Sequence, residues 1–325
     1  MVSDSATPFR WNSPARSQFD VEAHAVQMTS VDGFPIGGFV WRRRDASGEP
    51  RPVVIINSAT SVRCRYYFRF AAFLFRHGFD VIVYDYRGIG ESRPASLRGF
   101  NTSWLDWGCL DFEAVIKYAV DAFPGQPIDV IAHSIGGLML GLAPSNGLIN
   151  SAVTVGAQYA HWRDYARHVR ARMFLKWHLF MPLVTECFGY FPGKRMGWLE
   201  DTPKGIVRDW AFGSSSLEGR WRRRFSTGRF GSHVPVRQFQ SLTAPLLAIS
   251  LTDDPFGTEA AVERLLSYFD STSQTHLRLI SYLIGETGVG HFGFFDSRFA
   301  DNLWRIPLTW LQTGQIPTAV PGRIV

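Results

Sequence analysis

The sequence contains few cysteines and shows no pattern that would pair them. Its 325 residues contain only three, Cys64, Cys109 and Cys187, which are widely separated and lack the C-x-x-C spacing of a zinc site or redox pair. We interpret them as reduced, packed thiols, which is typical of a cytoplasmic protein.

Long apolar runs are also missing. The first 20 residues alternate polar, charged and aromatic side chains, so they lack the apolar core of a signal peptide. The most apolar stretch, residues 174–184, is interrupted by Lys176, His178 and Pro182 and is too short to span a bilayer. We therefore predict a soluble cytoplasmic protein with no integral membrane segment.

Acidic residues are scarce in one part of the chain. Residues 159–240 contain 15 Lys and Arg but 6 Asp and Glu, whereas the whole chain has a net charge of +6. Large apolar residues interrupt this basic segment, and it contains no nucleic-acid-binding motif. We predict no nucleic-acid partner, and peripheral contact of this segment with a membrane surface stays an alternative.

Short apolar runs alternate with helical patterns along most of the chain. Residues 52–56 are continuously apolar, and residues 80–84 and 128–132 are short, mostly apolar runs, as buried parallel strands are. An Asp32-Gly33 pair between two earlier runs predicts an antiparallel hairpin. This order predicts an α/β fold with a mostly parallel eight-stranded sheet and helices on both faces.

The strand pattern is interrupted for nearly a hundred residues. It stops after residue 155 and resumes at 246, and the interval contains helical patterns separated by turns. We therefore predict a core formed by residues 20–158 and 241–315, and an inserted, mostly helical cap formed by residues 159–240.

One serine lies in the context of a nucleophile. Ser134 follows the apolar run 128–132 and precedes a helical pattern, with the small residues Ala132 and Gly136 two positions to either side. A sharp strand-to-helix turn needs small neighbours because the two backbones crowd each other, as in the G-x-S-x-G motif. Here Ala132 replaces the first glycine.

A serine hydroxyl becomes a strong nucleophile when a histidine accepts its proton and an acid orients that histidine. Asp253 and Asp254 follow the apolar strand 246–251, and His291 lies beyond the next strand. Where a nucleophilic serine lies on such a strand-to-helix turn, its partners follow in the chain order Ser, Asp, His. We predict a triad of Ser134, His291 and one of the two aspartates.

Two backbone N–H groups should bind the oxyanion of such a reaction. The residue after the nucleophile, Ile135, is predicted to supply one. The loop after the strand 52–56 is predicted to supply the other from Ala59, with Thr60 as the next choice.

Residues 57–92, NSATSVRCRYYFRFAAFLFRHGFDVIVYDYRGIGES, resemble the α/β-hydrolase superfamily. The sequence is similar to one branch of it, uncharacterised bacterial predicted hydrolases that are like serine aminopeptidases and esterases, and the similarity runs from about residue 24 to 312. That branch has the motifs N-x-A-T-G-V, D-Y-R-G-I-G-x-S, H-S-x-G-G, S-D-D-P-F and G-H-F-G-F-F, from which this chain departs at Ser61 and Ala132. The resemblance implies transfer of an acyl group to water, and alignment of its D-P pair favours Asp254 over Asp253 as the acid.

The sequence predicts a serine hydrolase that cleaves an ester-like bond, a carboxylic ester or thioester, in a hydrophobic small molecule through an acyl-enzyme on Ser134. No metal or other cofactor is expected. Two alternatives stay open: an acyltransferase with the same triad, and a non-catalytic binding protein on the same fold. The candidate pocket residues are Thr60, Trp162, Tyr165, Trp177 and Phe292. The three aromatic residues of the cap are at helical spacing, which is also typical of residues that pack helices together.

Overall fold

A computed structural model describes residues 22–43, 51–225, 236–285 and 288–325. The N-terminal residues, for which the sequence predicts no signal peptide, lie outside these ranges.

A nine-stranded sheet forms the centre of the described structure, in the order β1-β2-β4-β3-β5-β6-β9-β10-β11. The two remaining short strands, β7 and β8, pair with each other. The strands are β1 (His24–Thr29), β2 (Pro35–Trp41), β3 (Val53–Asn57), β4 (Asp80–Tyr84), β5 (Ile128–His133), β6 (Ile149–Val155), β7 (Tyr190–Phe191), β8 (Thr202–Pro203), β9 (Leu246–Leu251), β10 (Gln274–Leu279) and β11 (Gly322–Ile324).

The predicted, mostly parallel sheet is confirmed. From β4 to β10 every neighbouring pair is parallel, and the predicted hairpin β1–β2 adds an antiparallel edge. The sheet has one strand more than the eight predicted, because β11 pairs antiparallel with β10. This strand lies beyond residue 315, and its three residues are too few to show a strand periodicity.

The central strands are buried on both faces, which explains why their sequences are mostly apolar. All five residues of β3 are buried. Val53 and Ile55 belong to one apolar cluster, and Val54 and Ile56 belong to another. Helices therefore cover both faces of the sheet.

Eleven α-helices occur in the described ranges, and none of them could cross a membrane by length and hydropathy. They are α1 (Phe68–Arg76), α2 (Trp104–Asp106), α3 (Glu113–Ala122), α4 (Gly136–Leu142), α5 (Arg170–Phe174), α6 (Met181–Phe188), α7 (Lys204–Ala211), α8 (Leu217–Phe225), α9 (Val236–Phe239), α10 (Glu259–Leu266) and α11 (Arg305–Thr313). Two π-helical segments, Trp107–Phe112 and Leu175–Phe180, join α2 to α3 and α5 to α6.

The segment between β6 and β9 leaves the sheet and returns beside its starting point, because β6 and β9 are parallel neighbours. Its described part contains α5 to α9 and the β7–β8 pair. We call residues 159–240 the cap segment; that they form a separate domain stays a prediction. Its first α-helix begins at Arg170.

Two charged residues after β4 hold loops in place, as their position in a turn suggests. Asp85 accepts hydrogen bonds from the N–H groups of Cys64 and Glu91, at 2.7 and 2.8 Å. Arg87 forms a buried ion pair with Asp111, with Nε 2.6 Å from the carboxylate. These residues support the loops near the sheet edge and do not contact the serine site described below.

Candidate active site

Ser134 lies at the end of β5, a central strand between β3 and β6. Its φ angle is +55°, a left-handed conformation that costs a residue with a side chain about 1–3 kcal/mol. The Ser134 N–H donates to the carbonyl of Val155, at 3.0 Å, which fixes the turn against β6. The sheet thus holds the serine in a strained turn, with its hydroxyl directed toward the site.

The space around Gly136 and Ala132 explains why the residues on either side of Ser134 are small. A Cβ atom on Gly136 would lie 2.6 Å from the carbonyl oxygen of Asn57, so a larger residue would force the helix away from β3. Ala132 pairs in register with Asn57 and Thr154 and is not among the residues with positive φ. An alanine therefore fits where the G-x-S-x-G pattern has its first glycine.

The predicted triad residues lie in one hydrogen-bonded row. His291 Nε2 is 2.9 Å from Ser134 Oγ, and His291 Nδ1 is 2.7 Å from Asp254 Oδ2. All three side chains are buried, and only 5% of Ser134 is exposed. The row joins three loops that are more than 35 residues apart in sequence, and it has the geometry of a nucleophile, a base and an orienting acid.

Asp254 is placed to remain an ionised carboxylate. Its Oδ1 accepts hydrogen bonds from the N–H groups of Phe256 and Gly257, at 2.8 and 2.9 Å. Burial acts to raise the pKa of Asp254, but His291 and these N–H groups outweigh it, so the pKa lies below its ordinary value. An ionised Asp254 accepts the Nδ1–H of His291, which leaves the Nε2 lone pair facing the serine.

Asp253, the alternative acid, has different partners. Its Oδ2 accepts hydrogen bonds from the N–H groups of Val289 and Gly290, at 2.7 and 2.9 Å. Its Oδ1 accepts a hydrogen bond from the Ser281 hydroxyl. Asp253 therefore ties down the backbone that leads into His291, and it does not contact the imidazole.

A second hydrogen-bonded row lies behind the first and starts at His133. Its Nε2 is 2.8 Å from the carbonyl oxygen of His291, and its Nδ1 is 2.8 Å from the Tyr67 hydroxyl. Because a carbonyl can only accept, Nε2 carries the proton, and Tyr67 must donate to Nδ1. Burial lowers the pKa of His133 to about 3 and raises that of Tyr67, so both groups stay neutral. We call Ala59, Tyr67 and His133 the rear row.

The rear row changes the expected oxyanion site. The Tyr67 oxygen accepts a hydrogen bond from the Ala59 N–H at 2.9 Å, so the predicted second donor is already engaged. Sequence patterns do not reveal this contact, because it depends on where the helical turn Cys64–Tyr67 packs. Thr60 is then the candidate donor from this loop. The first candidate, Ile135, precedes α4, where N–H groups lack partners within the helix.

Aromatic rings surround the histidine. Phe292 and Phe256 each lie with ring centroids 4.9 Å from His291. Of the predicted pocket residues in the cap segment, Tyr165 and Trp177 contact Phe256, at 5.6 and 6.0 Å. Trp162, by contrast, packs on Phe174.

Three residues at or near the site were not predicted from the sequence: Phe256, Trp210 and Gly156. Trp210 stacks on Trp177, with ring centroids 4.9 Å apart. We call these neighbouring rings the aromatic wall; they are Tyr165, Trp177, Trp210, Phe256 and Phe292. A Cβ atom on Gly156 would lie 2.8 Å from Asp254 Oδ2 and 3.3 Å from His291 Nδ1, and its φ angle is +55°. In the sequence, only its position directly after a strand could have pointed to this glycine as a site residue. Within the described ranges, no group of three His, Cys, Asp or Glu residues is arranged to hold a metal ion.

Comparison with known proteins identifies the family to which the fold belongs. The profile of the family described as alpha/beta hydrolase fold matches residues 51–297. Phospholipase ABHD3 of Mus musculus is 25% identical over 236 residues, which cover 67% of this chain and 52% of that protein. The chain thus spans about half the length of the curated relative that it matches.

Solved structures share the fold at low sequence identity. A monoglyceride lipase of Saccharomyces cerevisiae superposes with a TM-score of 0.62 at 14% identity, covering 94% of this chain and 100% of the other. An esterase of Pyrococcus furiosus gives a TM-score of 0.57 at 16% identity, covering 95% and 97% of the two chains. Identities this low show a common fold and do not identify a substrate.

The two neighbouring aspartates give a matched pair of substitutions. Asp254→Asn should lower kcat by about 10²- to 10⁴-fold, because an amide can hold the imidazole in the wrong tautomer. Asp253→Asn should lower kcat less than about tenfold and mainly lower the melting temperature, since its carboxylate binds the backbone N–H groups of Val289 and Gly290 and not the imidazole. Both effects are measured by steady-state ester hydrolysis and thermal unfolding of the two variants. Equal losses of kcat would contradict the assignment of Asp254 as the acid that orients His291.

The rear row predicts a role for a hydroxyl that does not touch the nucleophile. Tyr67→Phe leaves the Ala59 N–H and His133 Nδ1 without their partner and should lower the free energy of unfolding by about 1–3 kcal/mol. Because the His291 backbone is then less firmly held, kcat should fall on the order of tenfold with little change in KM.

Tyr84→Phe is the control for this variant, since the buried Tyr84 hydroxyl bonds Asn57 instead, at 2.8 Å. It should cost similar stability with a smaller loss of kcat. If the two variants lose kcat equally, the rear row does not position His291.

Proposed function

The chain belongs to the α/β-hydrolase fold family, and from this premise we propose that it is a serine hydrolase acting on an ester-like bond, a carboxylic ester or thioester, of a hydrophobic small molecule. The observation that carries the proposal is the contact of 2.9 Å between His291 Nε2 and Ser134 Oγ, continued to Asp254. An ordinary buried serine has no need of an imidazole held in one tautomer by an ionised carboxylate.

The geometry supports a two-step reaction. In the first step Ser134 Oγ attacks the substrate carbonyl carbon while His291 Nε2 takes the hydroxyl proton. The tetrahedral oxyanion lies against the Ile135 N–H and the loop N–H of Thr60. Collapse breaks the ester bond, and His291 returns the proton to the departing alcohol or thiol.

In the second step water attacks the acyl-enzyme. His291 again accepts a proton, now from the water, and then returns it to Ser134 Oγ as the acid leaves. The same positive charge on the imidazole forms in both steps, and the ionised Asp254 stabilises it each time.

The aromatic wall supports a hydrophobic substrate. Phe256 and Phe292 lie against His291, Trp177 packs on Phe256, and Ser134 is buried. Such surroundings favour an acyl or aryl group over a charged or sugar-like one. The similarity to a protein named as a phospholipase is in keeping with a lipid-like ester.

Labelling with a fluorophosphonate tests the proposal. Wild-type protein should become covalently labelled within minutes, whereas Ser134→Ala should show no labelling, because these reagents react with activated serines. A series of p-nitrophenyl esters of increasing chain length then measures the pocket, and we expect kcat/KM to rise with chain length.

Ser58→Ala is a matched control, since Ser58 is also a buried serine near the site. Labelling that survives in Ser134→Ala, or a folded wild type that is not labelled, would refute the proposal. Free acid as the product, rather than an ester of an added alcohol, separates a hydrolase from an acyltransferase.

A further inference from the structure

One helical run of the cap segment has an exposed apolar face. The run comprises α5, the π-helical segment Leu175–Phe180 and α6, which follow one another without a break. Five of the thirteen large exposed apolar side chains in the described ranges lie on it, with 39% to 66% of each exposed. Leu175, Leu179, Phe180 and Leu183 share one side of the run, whereas Phe188 lies at its end; we call the first four residues the outer face.

The opposite side of the same run is buried over the active site. Met173, Trp177 and Met181 point into the core. Trp177 contacts Phe256, which contacts His291. Only about 10 Å, one helix diameter, therefore separates the outer face from the aromatic wall of the site. A helix that is apolar on both sides is normally covered on both sides.

Basic residues precede the outer face along the chain. Between residues 163 and 188 there are five Lys and Arg and two acidic residues, a net charge of +3. Arg163, Arg167 and Arg172 are exposed. Both acidic residues are already in ion pairs, Asp164 with Arg264 and Glu186 with Lys204 and Arg208.

An apolar helix face bordered by exposed arginines has the chemistry of a surface that binds an anionic bilayer. The apolar side chains enter the boundary between headgroups and acyl chains, while the guanidinium groups meet the phosphates. The charge distribution favours this partner over an uncharged lipid surface.

We propose that the outer face docks on anionic phospholipid bilayers and places the cap segment where a lipid ester can pass from the bilayer to Ser134. The substrate part of this inference rests on the proposed function; the docking itself does not. Docking brings Trp177 and Phe256 within one helix of the hydrocarbon, so an acyl chain would stay in apolar surroundings along its path.

Sedimentation of the full chain with vesicles tests the proposal. Wild-type protein should bind vesicles containing 30% phosphatidylglycerol at least tenfold more tightly than vesicles of phosphatidylcholine alone. Binding should weaken at 0.5 M NaCl, because the arginine contribution is screened. Leu179→Glu should reduce binding at least tenfold, since it places a charge in the centre of the outer face.

Leu148→Glu is the matched control. Leu148 is 56% exposed, close to the 51% of Leu179, but it lies outside the cap segment, before β6. This variant should bind vesicles like wild type. Both variants should keep wild-type hydrolysis of a water-soluble short-chain ester, which shows that each is folded.

The outcomes separate docking from catalysis. Hydrolysis of the soluble ester without vesicle binding would overturn the docking proposal and leave the hydrolase intact. Binding lost in Leu179→Glu but kept in Leu148→Glu would support docking even if no ester were cleaved. Equal losses in the two variants, or a dimer in solution that Leu179→Glu dissociates, would also overturn docking, the latter because a second copy would then cover the outer face.

Discussion

The left-handed turn at Ser134 is the constraint on which the rest of the site depends. Residues other than glycine avoid this conformation. It persists at Ser134 because the surrounding sheet fixes both sides of the turn. β5 ends there between β3 and β6, the Ser134 N–H is bound to Val155, and Gly136 lies against Asn57. The apolar strands thus do more than form a core, since their packing energy holds the hydroxyl in one place.

Around this fixed point, the loops that carry the other groups are tied by buried hydrogen bonds. Asp253 holds the backbone before His291, and His133 holds its carbonyl. The two rows, one through His291 and Asp254 and one through His133 and Tyr67, constrain the imidazole at its ring and at its backbone. Both rows consist of groups whose donor and acceptor roles are determined by their partners, which leaves the imidazole one productive orientation.

The sequence predicted the parts of this arrangement that follow from local pattern and chain order. Buried strands, the strand-to-helix turn and the places of Ser134, His291 and the aspartates are encoded within a few residues each. The engagement of Ala59, the aromatic wall at Phe256 and the fit of Gly156 against Asp254 arise from contacts between distant segments, which periodicity does not encode. The short β11 likewise depends on a distant segment, since it pairs with β10.

The central claim is that Ser134 carries the acyl group between the two steps. Wild-type protein would be mixed rapidly with a p-nitrophenyl ester, quenched in acid and analysed by intact and peptide mass spectrometry. We expect a burst of p-nitrophenol close to one per enzyme and an added acyl mass on the peptide containing Ser134, decaying at the turnover rate. Steady turnover with the acyl group on another residue would contradict it.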